Sequence, residues 1–487
     1  MAAPTDAGAP DGAGTGGVPR GRGPLSPAHR ATTLGVVGLV TIIAFESMAV
    51  ATTMPVTAQA LGGVRSYGLA FSSFLTASLF GTVAAGPWAD RAGPRTPLGV
   101  GVALFAGGQL LCALTPTFSL LLLGRSLAGA GGGLVGVSIY VVVGARYPDA
   151  LRPQIFGYLS AAWVLPAVIG PAVAGWVTAW AGWRWVFGGV VPLAAVAALV
   201  VLPRIGGRAE ASGEREPPGT VRSRVLRGLL LALAAGAFQL GAEGVTRGGV
   251  PSVLATVLGA VVVVVLLPRL LPPGTLRWVR GLPSVIAVRG LFTAAFFATE
   301  AFVPLMLVSE RGFAPAQAGL ALVSGAFGWF CGTTYQARRP VDYPRHRLLV
   351  AGGVLMTLGI GALSVLTATG APGWFVLLAW LAAGGGMGLG MSTTSLLTLR
   401  MAEPGTQGRA SSALALSDNL GGVLGISVAG AVFSAGHVGA GADEPLFAGI
   451  WAGLGVVALA AAVLAPRVVP TRTGGVGAPT SATVAGP

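Results

Sequence analysis

The chain contains no lysine, so its 30 basic residues are all arginine. Charge of either sign is scarce: only 9% of the 487 residues are charged, against 53% hydrophobic. Soluble domains carry about 25% charged residues, so a soluble globular fold is excluded. Histidine is nearly absent. His29, His346 and His437 are dispersed, so no catalytic or metal-binding cluster forms from them, and neither an enzyme, a cofactor nor a metal site is expected. The Gly-x-x-x-x-Gly-Lys phosphate loop is missing, which removes nucleotide-driven chemistry. Two cysteines, Cys112 and Cys331, fall in apolar runs and read as buried small hydrophobes rather than a disulfide. Residues 1–30 lack an apolar core and read as a disordered tail, not a cleavable leader.

What is present is hydrocarbon. Mean hydropathy is +0.78, and runs of about 20 apolar residues recur along the chain, the length needed to cross a bilayer. Fourteen spans are expected, at about 33–57, 68–88, 97–115, 118–145, 155–180, 184–203, 225–243, 249–268, 283–308, 316–336, 348–369, 373–399, 409–435 and 446–465. An even number places both termini on one side. The net charge of +14 suits nucleic acid in a soluble protein, but its placement here reports topology. Loops sharing a side with the termini hold Arg91, Arg95, Arg146, Arg152, Arg204, Arg277, Arg280, Arg338, Arg339, Arg345 and Arg347 among others. The opposite loops hold only Arg65, Arg184, Arg247 and Arg311. The positive-inside rule then makes both termini cytoplasmic in a multi-pass plasma-membrane protein.

Polar breaks divide the chain. Residues 1–30 form a tail, 31–206 a six-helix bundle, 207–224 a cytoplasmic linker, 225–268 two extra helices, 269–466 a second six-helix bundle, and 467–487 a second tail. The expected fold is all-α, fourteen helices arranged 6 + 2 + 6. Such layouts arise by internal duplication, with the substrate path between halves near the midplane.

Between the second and third spans stands Gly86-Pro87-Trp88-Ala89-Asp90-Arg91-Ala92-Gly93-Pro94-Arg95. A carboxylate and two guanidiniums in a Gly/Pro turn belong at the interface, not in hydrocarbon. Asp90 is expected to be held by the preceding helix end and the following amides. An ordinary charged loop has the same composition. The stretch resembles the signature loop of the major facilitator superfamily, a glycine, then Asp-Arg, then Gly-x-Arg. Arg125-Ser126-Leu127-Ala128-Gly129-Ala130-Gly131 resembles its helix-4 motif, with Ala128 where glutamine is usual. Gly170, Pro171 and Gly175 match the helix-5 motif of its antiporter branches, while Pro166 and Ala174 replace glycines. The same proline and glycines equally suit a packing kink. Trp183-Arg184-Trp185-Val186-Phe187 is similar to the fourteen-helix drug–proton antiporters.

The resemblance implies transport by rocking of two halves, with Asp90, Arg91, Gly93, Arg95, Gly170, Pro171 and Gly175 as the switch. Independently, acids inside spans are expensive and so candidates for function. Glu46 lies about 13 residues into helix 1, on the order of 20 Å deep at 1.5 Å per residue. Glu300 occupies the first helix of the second half, and Asp418 a later one. Each is read as a proton carrier or as a buried carboxylate paired to arginine. Arg125 is a partner for one of them, while Arg289, near a span end, is expected to snorkel.

Phe45, Met48, Trp163, Phe296, Phe297, Trp329 and Asn419 are candidates to line an amphipathic-substrate cavity, or else packing and lipid contacts. The expected partners are an amphipathic small molecule, protons and the bilayer, with no nucleic acid and a monomeric state. The function read from all this is proton-coupled export of amphipathic drugs. Export of a lipid or metabolite, an uptake symporter and a non-transporting sensor remain open alternatives.

Overall fold

Backbone amides find no water in hydrocarbon, so a spanning chain must close its hydrogen bonds within each segment. The computed structural model describes residues 23–148, 151–205, 218–244, 249–340, 343–402 and 407–470, and they are helical throughout apart from short links. The helices are α1 (Arg30–Ala60), α2 (Tyr67–Ala92), α3 (Arg95–Leu114), α4 (Phe118–Arg146), α5 (Arg152–Trp180), α6 (Arg184–Gly188), α7 (Val190–Val201), α8 (Pro218–Gly244) and α9 (Val250–Leu270). They continue as α10 (Leu282–Ser309), α11 (Pro315–Ala337), α12 (Arg345–Ala368), α13 (Phe375–Met401), α14 (Gln407–Gly436) and α15 (Glu444–Leu464). Only Gly189 separates α6 from α7, and the two form one span.

Among the described residues twelve spans are long and apolar enough to cross a membrane, where the sequence suggested fourteen. Of the other two rods, α8 contributes an apolar stretch Leu226–Ala242 among the described residues, and α11 is diluted by four glycines and by Gln317, Ser324, Thr333, Thr334 and Gln336. The chain is a multi-pass membrane protein. The linker expected at 207–224 is shorter than that, because α8 begins at Pro218; residues 206–217 lie outside the described residues, as do most of the two tails.

The packing repeats. In the first bundle α1 lies on α5 and α7, and α4 lies on α2 and α3. In the second, α10 lies on α14 and α15, and α13 on α11 and α12. The bundles then exchange equivalent partners: α5 packs on α11, and α2 on α14. The pair α8–α9 packs on itself and touches the bundles through α8 against α2 and α14.

Glycine makes the tight crossings. A Cβ on Gly129 of α4 would stand 2.1 Å from the Phe74 carbonyl oxygen, and one on Gly133 2.1 Å from that of Ser78. In α13 a Cβ on Gly384 would stand 2.0 Å from the Gly325 oxygen, and one on Gly388 2.2 Å from that of Trp329. Without glycine these backbones cannot approach. Both fourth helices therefore use one device against both second helices.

Two faces follow from the loops. Gly281 donates to the Arg467 carbonyl at 3.0 Å, and Arg146 to that of Arg204 at 2.7 Å, on the face where α1 begins and α15 ends. On the opposite face Arg65 donates to the His437 carbonyl at 3.4 Å, and Arg184 to that of Thr115 at 3.1 Å. The core shared by both halves is assembled from Met54, Tyr67, Phe302, Ala318 and Phe433, residues nearest that opposite face. There the Tyr67 and Phe302 rings lie tilted against each other at 5.4 Å, a Cβ on Gly68 would meet Gly430 Cα at 2.9 Å, and one on Gly175 would meet Ala316 Cα at 2.5 Å. The halves are joined on the face away from the termini.

Candidate functional site

Three polar nodes interrupt the apolar interior. The first joins α1 to α4. Glu46 and Arg125, 1% and 3% exposed, form an ion pair through Glu46 Oε1 and Arg125 Nη1. Arg125 Nε also donates to the Ala70 carbonyl at 2.9 Å, and its guanidinium lies 4.4 Å from the Phe74 ring centroid. Glu46 Oε2 has no partner among the described residues. Small residues around Arg125 let α2 and α4 close over it, so the arginine is enclosed rather than extended to the interface. Of the partners open to Arg125, the structure selects Glu46.

The second node corrects an expectation. Arg289 does not snorkel: it is buried, and its Nε bonds Asp418 Oδ1 at 2.7 Å. Its Nη1 donates to the Met391 carbonyl at 2.9 Å and to the hydroxyls of Thr394 and Ser395 at 3.0 and 3.2 Å. One guanidinium thus ties α10, α13 and α14 together. Asp418 was legible as an acid inside a span, but its partner lies 129 residues away, beyond any local spacing rule.

The third node is Glu300 on α10. It is half-buried and makes no hydrogen bond or ion pair among the described residues. Helical spacing of three and four puts it one turn from Phe297 and Phe296. Phe296 is a core residue rather than a free cavity wall, stacked at 4.7 Å on Trp380 and edge-on to Trp329 at 5.4 Å. Phe297 and Trp329 are only partly buried, with centroids 6.4 Å apart.

The other candidates scatter. Phe45 lines a peripheral groove with Ala174, Val177, Trp185 and Leu193, away from the aromatic wall on α10, because its ring turns toward α5 and α7. Met48 sits beside Gly170, whose added Cβ would lie 3.3 Å from it. Trp163 is exposed. Asn419 donates to its own helix, to the Ala415 carbonyl at 3.0 Å. Cys112 is buried, but Cys331 is exposed, against expectation.

The helix-5 residues lie at the seam. Added Cβ atoms place Gly319 of α11 at 3.0 Å from Pro171, and Gly175 against Ala316. Asp90 is not held as expected. It belongs to the last turn of α2, which runs to Ala92 before Gly93 turns the chain at φ 76°. Asp90, Arg91 and Arg95 are exposed, and Asp90 has no bond or ion pair among the described residues. No group of three metal-binding side chains occurs among the described residues.

Two bundles that repeat one packing scheme, exchange their second and fifth helices, and enclose charges at mid-depth define a secondary transporter. Residues 36–426 match the Major Facilitator Superfamily, and the chain belongs to that superfamily of transporters, not enzymes. It is 26% identical over 423 residues to a probable multidrug-efflux transporter of Mycobacterium tuberculosis, covering 84% of this chain and 88% of that one. It is 28% identical over 179 residues to the multidrug transporter protein MdtP of Bacillus subtilis, covering 36% and 33%. Among solved structures, the fold is similar to the xylose transporter XylE from E. coli in a partially occluded inward-open conformation, with TM-score 0.59, 14% identity, and 92% and 99% of the two chains covered. It is also similar to an auto-inhibited peptide transporter of the POT family, with TM-score 0.62, 16% identity, and 90% and 97% covered.

Proposed function

We propose that the protein exports amphipathic, cation-tolerant small molecules in exchange for protons, by alternating access of two six-helix halves arranged 6 + 2 + 6 about the α8–α9 pair. The observation that carries this reading is Glu300, a half-buried carboxylate with no counter-ion among the described residues, one turn from the partly buried Phe297 that faces Trp329. An acid beside aromatic faces suits a lipophilic cation through charge and cation–π attraction. It also suits a proton, and the two cannot be held at once. Competition for one carboxylate is the simplest form of antiport.

In this reading Glu46 and Asp418 differ from Glu300. Protonating either one breaks an ion pair and strands a buried arginine, a costly event. Glu46–Arg125 then responds to the conformational step, while Glu300 exchanges ligand for proton. The termini face the cytoplasm, as the arginine distribution directs, so the halves in this structure are joined on the outer face. The free Asp90 loop fits a cytoplasmic latch that engages only when the outer face opens. The names of the relatives support a drug substrate over a lipid or metabolite.

The test is proton flux in proteoliposomes carrying an internal pH dye, with a panel of lipophilic cations. Substrate-evoked proton movement in the wild type should vanish in Glu300→Gln. Undiminished proton movement in that variant would move coupling to another acid, and transport of neutral lipids with no proton signal would end the antiport reading.

A further inference from the structure

Away from the seam, on the face carrying the termini, a cavity of about 480 Å³ opens within the first bundle. It is lined by Pro27, Ala28, Ala31, Thr32, Arg95, Arg146, Pro203, Arg204 and Ile205. Three arginines from α3, α4 and the end of the α7 span converge there, and among the described residues no carboxylate lines it. The first turn of the 31-residue helix α1 forms the opposite wall, adding the positive end of its dipole. Like charges gathered without an acid are unfavourable unless an anion joins them.

The walls are anchored. Thr33 donates to the Pro24 carbonyl at 2.7 Å, which leaves the Tyr147 hydroxyl to donate to Thr33 at 2.9 Å. Burial lifts the Tyr147 phenol above its ordinary range, so it remains a donor. The rings of His29 and Tyr147 lie 5.1 Å apart. These contacts fix residues 24–29 against the end of α4. Arg146 is steadied by the Arg204 carbonyl at 2.7 Å, and Arg204 by that of Val200 at 2.6 Å. Each uses one donor and keeps others of its five. Arg95 makes no hydrogen bond or ion pair among the described residues.

The surroundings say which anion fits. One turn toward the bilayer from Ala31 stands Leu34, 61% exposed, and one turn from Pro203 stands Leu199, 73% exposed. A basic pocket continuous with exposed apolar side chains has the layout of a headgroup site with its acyl path. We infer that this cavity binds the phosphate headgroup of an anionic phospholipid from the leaflet on the termini face. A free phosphate would use the same arginines but not the apolar flank. The site is independent of the transported substrate and of Glu300.

The experiment is native mass spectrometry of the full chain in detergent, titrated with phosphatidylglycerol, with phosphatidylcholine, and with phosphatidylglycerol in the presence of millimolar inorganic phosphate. Wild type should retain one tightly held phosphatidylglycerol that phosphatidylcholine does not replace. Affinity should weaken on the order of fivefold for each arginine removed, hence more than tenfold in Arg146→Gln/Arg204→Gln. Ala28→Glu, which keeps every arginine and adds a carboxylate to the rim, should lose the same lipid. A thermal melt matching wild type separates this from misfolding. Equal retention by wild type and Ala28→Glu, or equal retention of phosphatidylcholine, overturns the site. Displacement by inorganic phosphate overturns the lipid in favour of the free anion.

Discussion

The Glu46 carboxylate and the Arg125 guanidinium meet in the middle of the first bundle, 79 residues apart in the chain and almost wholly sealed from solvent. A second pair, Arg289 with Asp418, occupies the second bundle. The pairs are not copies. The first links helices one and four of its half; the second links helices one and five and carries the cation, not the acid, on the first helix. The halves therefore share a backbone scheme but place charge differently, so a symmetric repeat gains an asymmetric mechanism.

The Glu46–Arg125 pair predicts a double-mutant result. Arg125→Met leaves a buried carboxylate uncompensated and should cost about 3–5 kcal/mol of stability. Adding Glu46→Gln removes that stranded charge and should recover a large part of the loss. Thermal unfolding in detergent of both single variants and the double variant measures the coupling. Additive losses would show that the two groups do not interact.

Arg289 makes a further case. Asp418→Asn keeps the shape but removes the counter-charge, while the Met391 carbonyl and the Thr394 and Ser395 hydroxyls continue to accept from Arg289. The stability loss should therefore be smaller than for Arg289→Met, which breaks every one of these bonds and frees α10 from α13 and α14. The ranking of the two melting temperatures is the measurement, and the reverse order would contradict the bonding described.

How much of this was readable in the chain divides by range. Span 118–145 anticipated α4 to within a residue, because an apolar run ends where charge begins. The break at Gly189 did not show, since 184–203 is apolar on both sides of it. The early start of α8 was hidden by an Arg/Pro-rich segment that reads as linker. Depth along a helix identified Glu46, Glu300 and Asp418 as acids inside spans, yet depth alone misplaced Arg289, whose burial depends on helices more than one hundred residues away. One overlooked signal was local. Gly129-Ala130-Gly131-Gly132-Gly133 and Gly384-Gly385-Gly386-Met387-Gly388 sit in equivalent helices, and aligning them reveals the internal repeat.

Those glycines carry their own prediction. Gly129→Val and Gly384→Val place a Cβ about 2 Å from a carbonyl oxygen of the facing helix, a contact that only separation of the helices can relieve. Both should abolish the monodisperse peak on size exclusion. Gly136→Ala, whose Cβ meets nothing within 4 Å, should elute as wild type. A normal profile for either valine variant would mean that the crossings are looser than the structure has them.

The seam between halves supplies the last. Gly175 and Ala316 face each other across α5 and α11 on the face away from the termini, with an added Cβ on Gly175 only 2.5 Å from Ala316 Cα. In the proposed export cycle this contact opens at every turn, since an exported substrate would leave by that face. Gly175→Cys/Ala316→Cys should form a disulfide under mild oxidant and stop transport, and reductant should restore it. Substituting Cys331, which is exposed, removes the competing thiol. The buried Cys112 stays out of reach. The crowding at this contact makes Gly175→Cys alone a necessary control for packing damage. If the oxidised double variant transports at the wild-type rate, the face does not open at this seam, and a rocking motion of the halves about it is the wrong mechanism.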